Sequence, residues 1–411
     1  MKYLKLSIIV LFLSSVTMFS QTTLKDYLKL AAESNPALKA KFNEYLSSAE
    51  RIEQENAFPE PQVAFGYFIS PVETRVGPQQ MKFSLSQKFP WFGKLQARAD
   101  SRAEYAKSIY KEFEELKYIL FYNVKRVWYQ LYIKEREIDL VKEQLVFYKT
   151  LQALINVKFQ NGKATMSDLM RVRIKIDYLE NRIAELNLDL EPIRAEFNAL
   201  LNREPSTAIT VAQNIDVDDL DESGNTLDSV LARNSGLSVL AQQRQTAVSK
   251  MHSIEKERYP DISLGLDYTV VGKRTDVPVV SNGQDAFLPK LSLNIPLFNP
   301  KYDAQIQEYS YQRDMFDNKI EDYENKLRTE YQEILSKYQN AKRNIVYLEQ
   351  QISNTKTVLI LLYTEYATSG DKFLDLVLEQ EKILIFEYRL EQEKVKTNLA
   401  VAKIEMLNSK F

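Results

Sequence analysis

The stretch SLSQKFPWFGK, Ser84 to Lys94, begins with the alternation of a β-strand and ends in Phe89, Pro90, Trp91, Phe92 and Gly93, a cluster that no soluble loop requires. From Lys94 to Asn161 there is then neither proline nor glycine. Proline lacks the N–H that a strand ladder needs, and a run without breakers favours one long helix, so the cluster reads as a joint between strand and helix. Along Lys82 to Phe89, the residues Phe83, Leu85 and Phe89 point one way, and Lys82, Ser84, Ser86 and Lys88 the other. Alternation of this kind fits a membrane strand with a polar lumen, and it fits a half-buried soluble sheet equally.

The same plan occurs a second time. NPAL at Asn35 to Leu38 is answered by NSGL at Asn234 to Leu237, and PQVAFGY at Pro61 to Tyr67 by PDISLGL at Pro260 to Leu266. Leu85, Phe89, Pro90, Trp91 and Phe92 align with Leu291, Ile295, Pro296, Leu297 and Phe298. Each half therefore reads helix, strand, loop, strand, joint, helix. The expected organisation is a signal segment over 1–20, a first repeat over 21–201, a connector over 202–226 and a second repeat over 227–411.

Apolar spacing supports the pairing of the long helices. Ile109, Phe113, Leu116, Leu120, Val124, Val127 and Leu131 follow steps of 4, 3, 4, 4, 3 and 4, and Phe316, Ile320, Tyr323, Leu327, Tyr331, Ile334 and Tyr338 take the same steps. This is an 11-residue period of about 3.67 residues per turn, whose stripe runs nearly along the helix axis, so that such helices stand side by side like staves. Each breaker-free run reaches on the order of 100 Å at 1.5 Å per residue. The helices reverse at FQNGKATMSDL, Phe159 to Leu169, and at YATSGDKFLDL, Tyr366 to Leu376, with Gly162 and Gly370 at the turns.

Composition agrees with long helices: 411 residues hold only 10 glycines and 13 prolines. A net charge of −2 gives no footprint for a nucleic-acid partner, and the absence of cysteine removes disulfides, thiol nucleophiles and thiolate metal sites. His252 is the single histidine and reads as a surface or packing residue. GKAT at Gly162 to Thr165 lacks the upstream glycine and strand of a phosphate loop. The acidic run DVDDLDES, Asp216 to Ser223, reads as part of a solvated linker rather than a cation site. No catalytic residue, cofactor or metal is expected. At the N-terminus, Lys2 and Lys5 precede an apolar run from Leu6 to Leu13, the form of a secretory signal. No later segment is apolar for long enough to cross a bilayer as a helix, so a membrane-bound form must cross as strands. Four strands cannot close; two copies supply eight, which side chains fill, and three supply about twelve, which leave a lumen.

With its paired plan, its two strand–helix joints and its two glycine turns followed by Asp168 and Asp375, the chain resembles the TolC family of outer-membrane efflux proteins over essentially its whole mature length. No single motif is specific; their order and spacing are. The resemblance implies a mainly α fold with a membrane β-barrel portion: a homotrimer with a twelve-strand β-barrel in outer-membrane lipid, continued by a twelve-helix α-barrel across the periplasm. It also implies a passive duct that docks a periplasmic adaptor and an inner-membrane pump. Gly162, Lys163, Ala164, Thr165, Gly370, Asp371 and Lys372 would then form the docking tips. Asp168, Asp375 and Glu379 would line the constriction, or the two aspartates would serve as helix-start residues near the positive end of the helix dipole. Phe89, Pro90, Trp91, Phe92, Pro296 and Phe298 would sit at the membrane interface, with core packing as the other reading of the aromatics. A secreted or periplasmic helical scaffold or adhesin without a pore is the alternative.

Overall fold

The computed structural model describes residues 23–221, 224–369 and 372–410. The expected signal segment and the turn residues Gly370 and Asp371 lie outside the described residues. In chain order the elements are α1 (Leu24–Ser34), α2 (Pro36–Asn56), β1 (Gln62–Thr74), β2 (Gly77–Phe89), α3 (Lys94–Gln160) and α4 (Met166–Leu200), followed by α5 (Leu227–Arg233), α6 (Ser235–Glu257), β3 (Asp261–Val271), β4 (Ala286–Asn294), α7 (Pro300–Ser369) and α8 (Phe373–Leu407). The breaker-free runs are helices of 67 and 70 residues that end at Gln160 and Ser369, just before the glycines expected at the turns.

NPAL and NSGL prove to be helix starts rather than helix interiors, which corrects the reading of one leading helix per half. The Asn35 side chain accepts a hydrogen bond from the Leu38 N–H at 3.1 Å, and Pro36 occupies the first turn, where its missing N–H costs nothing. Asn234 does the same for Leu237 at 3.1 Å while its amide donates to the Leu407 carbonyl at 2.9 Å. Each asparagine therefore splits the leading segment into two helices, α1 with α2 and α5 with α6.

The chain divides into two compact units. One consists of α1, Asn123–Asp216 and Leu348–Gln392; the other of Asn35–Tyr122, Val217–Tyr347 and Glu393–Phe411. In the first, Leu131, Tyr132, Leu140, Tyr148, Leu151 and Ile155 of α3 are buried, as are Leu179, Leu186, Leu190 and Phe197 of α4. Tyr27 closes this core by meeting Phe197 edge to face at 5.0 Å. In the second unit Leu327, Tyr331 and Ile334 of α7 pack with Val401, Ile404 and Leu407 of α8 and Val230 of α5. Every residue of the two period-11 stripes is buried or partly buried, so the spacing marks the packed face of each helix.

The described residues of 202–226 carry little regular structure; the carboxylates of Asp216, Asp218, Asp219 and Asp221 are exposed, while the backbone beside them is pinned to the helices. The Asp218 N–H donates to the Asn398 side chain at 2.8 Å and the Leu220 N–H to the Tyr338 hydroxyl at 3.1 Å. Leu220 is buried and Lys342 pairs with Asp219 at 2.6 Å. Backbone groups that leave water must find partners, and α7 and α8 supply them here.

The strands form one antiparallel sheet in the order β1-β2-β3-β4. Phe83 faces Tyr268, Leu85 faces Leu266 and Leu264 faces Leu291, so the alternation in each strand adds up to a mainly apolar and a mainly polar face, with Gln87 on the first and Leu288 on the second as exceptions. Register is held on the β1 side by a tight turn at Gly77, whose φ of 133° belongs to glycine.

Candidate membrane sheet and helical turns

The sheet is inside out by the standard of a soluble domain. Val63, Phe65, Tyr67, Phe83, Leu85, Leu264, Tyr268, Phe287, Leu291 and Leu293 share one face and are all exposed. On the opposite face Asp261, Asp267 and Thr269 are buried. A contiguous apolar face of this size on a soluble surface is unfavourable, whereas against hydrocarbon it is the required arrangement. All charged side chains of the regularly paired strand segments, Lys82, Lys88, Asp261, Asp267 and Lys290, lie on the polar face. Among the described residues no helix is long and apolar enough to cross a membrane.

At the joint, β2 ends at Phe89, Pro90 interrupts the ladder, and Gly93 takes a φ of 81° before α3 begins. The Lys94 N–H donates to the Trp91 carbonyl at 3.1 Å, which closes the first turn. Phe92 and Phe298 are exposed, while Pro90, Trp91 and Pro296 are partly buried. Phe58, Phe89, Pro90, Trp91, Phe92, Ile262 and Leu264 line an apolar recess of about 440 Å³. Of the six joint residues named from sequence, Phe89, Pro90, Trp91 and Phe92 line this recess, and none of the six is buried.

Directly beneath lies a charge network that sequence reading missed. Lys94 is only 2 % exposed and its Nζ lies 2.6 Å from Asp261 Oδ1. Lys88 reaches Asp261 Oδ2 at 2.8 Å, and Arg98 grips Glu257 with two hydrogen bonds of 2.6 and 2.8 Å. The end of β2, the start of α3, the end of α6 and the start of β3 are thereby tied by ion pairs centred on the buried Lys94–Asp261 contact, with the exposed Lys88 and the part-buried Arg98 and Glu257 around it. Lys94 and Asp261 are far apart in sequence, and only the alignment of the two halves could have hinted at their meeting.

The two helical turns are built differently. At the first, Gly162 has φ 69°, its N–H donates to the Phe159 carbonyl at 3.0 Å, and the Lys163 N–H donates to the Lys158 carbonyl at 2.8 Å, the paired bonds of a Schellman cap. Ala164 then leads to Thr165, which caps α4. The Thr165 hydroxyl accepts from the Asp168 N–H at 3.2 Å, and the Thr165 N–H donates to Asp168 Oδ2 at 3.1 Å, a reciprocal capping box. Of the second turn, Lys372 is described: it holds φ 68° and its carbonyl accepts from the Leu376 N–H at 3.0 Å.

Each candidate constriction carboxylate is engaged by a residue within four positions of it in sequence. Asp168 serves the capping box, Asp375 lies 3.7 Å from the Lys372 ammonium, and Glu379 lies 2.5 Å from Lys382. Behind the turns, Tyr366 is buried with its ring 5.7 Å from Phe373 and 5.4 Å from the Lys158 ammonium. Burial, assisted by the negative charge of Asp168, pushes the Tyr366 phenol up to about 12. Phe159 and Tyr366, which hold matching places in the two turn sequences, thus differ: the first is exposed and the second is core.

A mostly helical chain with a four-stranded sheet that is apolar outward has the fold of the TolC-family outer-membrane channels. Among solved structures, that of the transmembrane channel CusC superposes with a TM-score of 0.76 at 15 % identity, covering 96 % of this chain and 93 % of that one. The outer membrane protein VceC of Vibrio cholerae gives 0.73 at 15 % identity over 94 % and 96 %. The Campylobacter jejuni CmeC outer membrane channel gives 0.73 at 14 % over 94 % and 85 %. At such identities the likeness establishes the fold. No protein-family model matches the sequence, and no curated protein matches it.

Proposed function

We propose that the chain is one protomer of a trimeric outer-membrane exit duct, a passive conduit that extends into the periplasm and is coupled there to an adaptor protein and an inner-membrane pump. The observation that carries this reading is the inside-out sheet: an exposed apolar face, a polar opposite face and outer edges on β1 and β4 that the sheet itself leaves open. In lipid an unpaired edge is costly, so strands of further copies must complete a barrel, and three copies supply about twelve strands with a lumen. The duplicated plan supports it, since two hairpins of strands and two of helices per copy repeat around such a barrel.

Within this reading, Gly162 to Thr165 and Gly370 to Lys372 form the tips offered to adaptor hairpins. Asp375, with Glu379 one turn on, is the better choice than Asp168 for a ring of carboxylates at the constriction, because Asp168 is committed to its capping box. Pro90, Trp91, Phe92 and Phe298 are the residues at headgroup depth.

Purified full-length protein added to a planar bilayer tests the reading. Stepwise conductance is expected; its absence, with protein that stays soluble without detergent, would favour the scaffold or adhesin. In the same recordings Asp375→Asn is expected to weaken cation preference if the ring exists, and unchanged preference would leave Asp375 a helix-start residue.

A further inference from the structure

On the polar face of the sheet the carboxylates are buried and the lysines are not. Asp267 of β3 is held from both sides, by Lys82 of β2 at 2.7 Å and Lys290 of β4 at 2.6 Å. Its side chain is 3 % exposed, while those of Lys82 and Lys290 are 40 % and 42 % exposed. Near the joint the pattern recurs: Asp261, 11 % exposed, sits between Lys88, 45 % exposed, and the buried Lys94. Two lysines against one aspartate leave one positive charge in the first cluster. In the second, Lys88, Lys94 and Arg98 exceed Asp261 and Glu257 by one. β1 contributes no charge over its regularly paired part, Gln62 to Tyr67.

We propose that this face is a cationic band lining the barrel, with Lys82, Lys88 and Lys290 as the residues that favour anionic solutes passing along it. The inference rests on the duct reading and gives it a solute class. The aspartates fix the lysines in place and hold no exposed negative charge of their own, so what the lumen meets is the ammonium excess. In a narrow aqueous passage with low-dielectric walls, a fixed charge of one sign raises the local concentration of the other. Any carboxylate ring at the helical turns acts in the opposite sense, so the quantity that identifies the band is a shift on substitution and not the sign of the wild-type selectivity.

The test is the reversal potential of the full-length channel in a planar bilayer under a gradient of potassium chloride. Lys82→Gln and Lys290→Gln are each expected to lower the chloride-to-potassium permeability ratio by roughly two-fold, and Asp267→Asn to raise it by a similar factor. Lys82→Arg keeps the charge and is expected to leave the ratio unchanged. The shifts should shrink in molar salt, where the Debye length falls to about 3 Å. Should one lysine variant fail to insert, the other reads the same aspartate from the neighbouring strand. Wild-type conductance with a ratio unmoved by lysine and aspartate substitutions alike overturns the cationic band and leaves the duct standing. A wild-type protein that gives no conductance overturns the duct, and the band with it.

Discussion

Two glycines with positive φ make opposite demands on their surroundings. A Cβ at Gly77 would lie 1.7 Å from the Gly272 carbonyl oxygen, whereas one at Gly162 would meet nothing within 4 Å. Gly77→Ala is therefore expected to abolish the β1–β2 turn and with it membrane assembly, while Gly162→Ala costs roughly 1 kcal/mol from the left-handed backbone alone. Assembly in membranes and hydrogen exchange around the Gly162 turn check the pair. Buried phenols set a second residue-scale expectation. Burial pushes the Tyr366 phenol up to about 12 and those of Tyr132 and Tyr148 further still. An unfolded tyrosine releases its proton near 10. Between pH 10 and 12 the folded chain thus holds protons that the unfolded chain has lost, and stability falls by on the order of 1 kcal/mol per pH unit for each phenol. Thermal midpoints should be flat on this account below pH 10 and drop above it. The Tyr148 and Tyr366 hydroxyls make no hydrogen bond among the described residues, so Tyr366→Phe should reduce the drop without loss of stability at neutral pH. Tyr132→Phe should be worse, because its hydroxyl donates to Glu391 Oε2 at 2.6 Å.

Elements were legible where one chemical rule dominates a long stretch. Absence of proline and glycine delimited α3 and α7, and period-2 alternation located β2, β3 and β4, because helix and strand periodicity are local. The splits at Asn35 and Asn234 were not legible as splits, although an asparagine before Pro36 is a helix-start signal; similarity between the halves drew the eye to repetition instead. Nor was the packing of 202–226 legible, since its partners Tyr338 and Asn398 lie on distant helices. Of the candidate sites, the joint was readable from its aromatics and the first turn from its glycine, but the buried Lys94 network was not, because a lysine after glycine looks like any helix start. That network makes an element-scale prediction. Asp261→Ala leaves Lys94 buried with its next carboxylate, Glu257, at 3.9 Å, and should cost about 3 kcal/mol. Lys94→Met keeps the volume and leaves Asp261 its 2.8 Å partner Lys88, and should cost clearly less. Thermal unfolding in detergent compares the two, and equal losses would mean that the network holds the joint by packing and not by charge.

At the scale of the molecule the deciding feature is that the sheet leaves its apolar face exposed and its outer strands, β1 and β4, paired on one side only. β2 and β3 are paired on both sides, while β1 and β4 each pair on one. In the proposed trimer, β4 of one copy meets β1 of the next, and the band of heat-modifiable protein on a gel should run well above the monomer. In that proposed trimer, adjacent residues of β4 would separate the lipid-facing from the lumen-facing side within a single strand. Leu291 faces Leu264 on the exposed apolar side, and Ser292 faces Ser263 on the polar side. A lysine on the lipid side costs about 2 to 4 kcal/mol near the bilayer midplane, and far less where water reaches it. Since assembly repeats the substitution in every copy, Leu291→Lys should all but remove the heat-modifiable trimer, and Ser292→Lys should leave it near the wild-type level. Both variants place the same side chain on the same strand, one residue apart, so general damage to β4 affects both. Equal trimer yields would mean that neither face is in lipid, and the barrel reading would fall with that result.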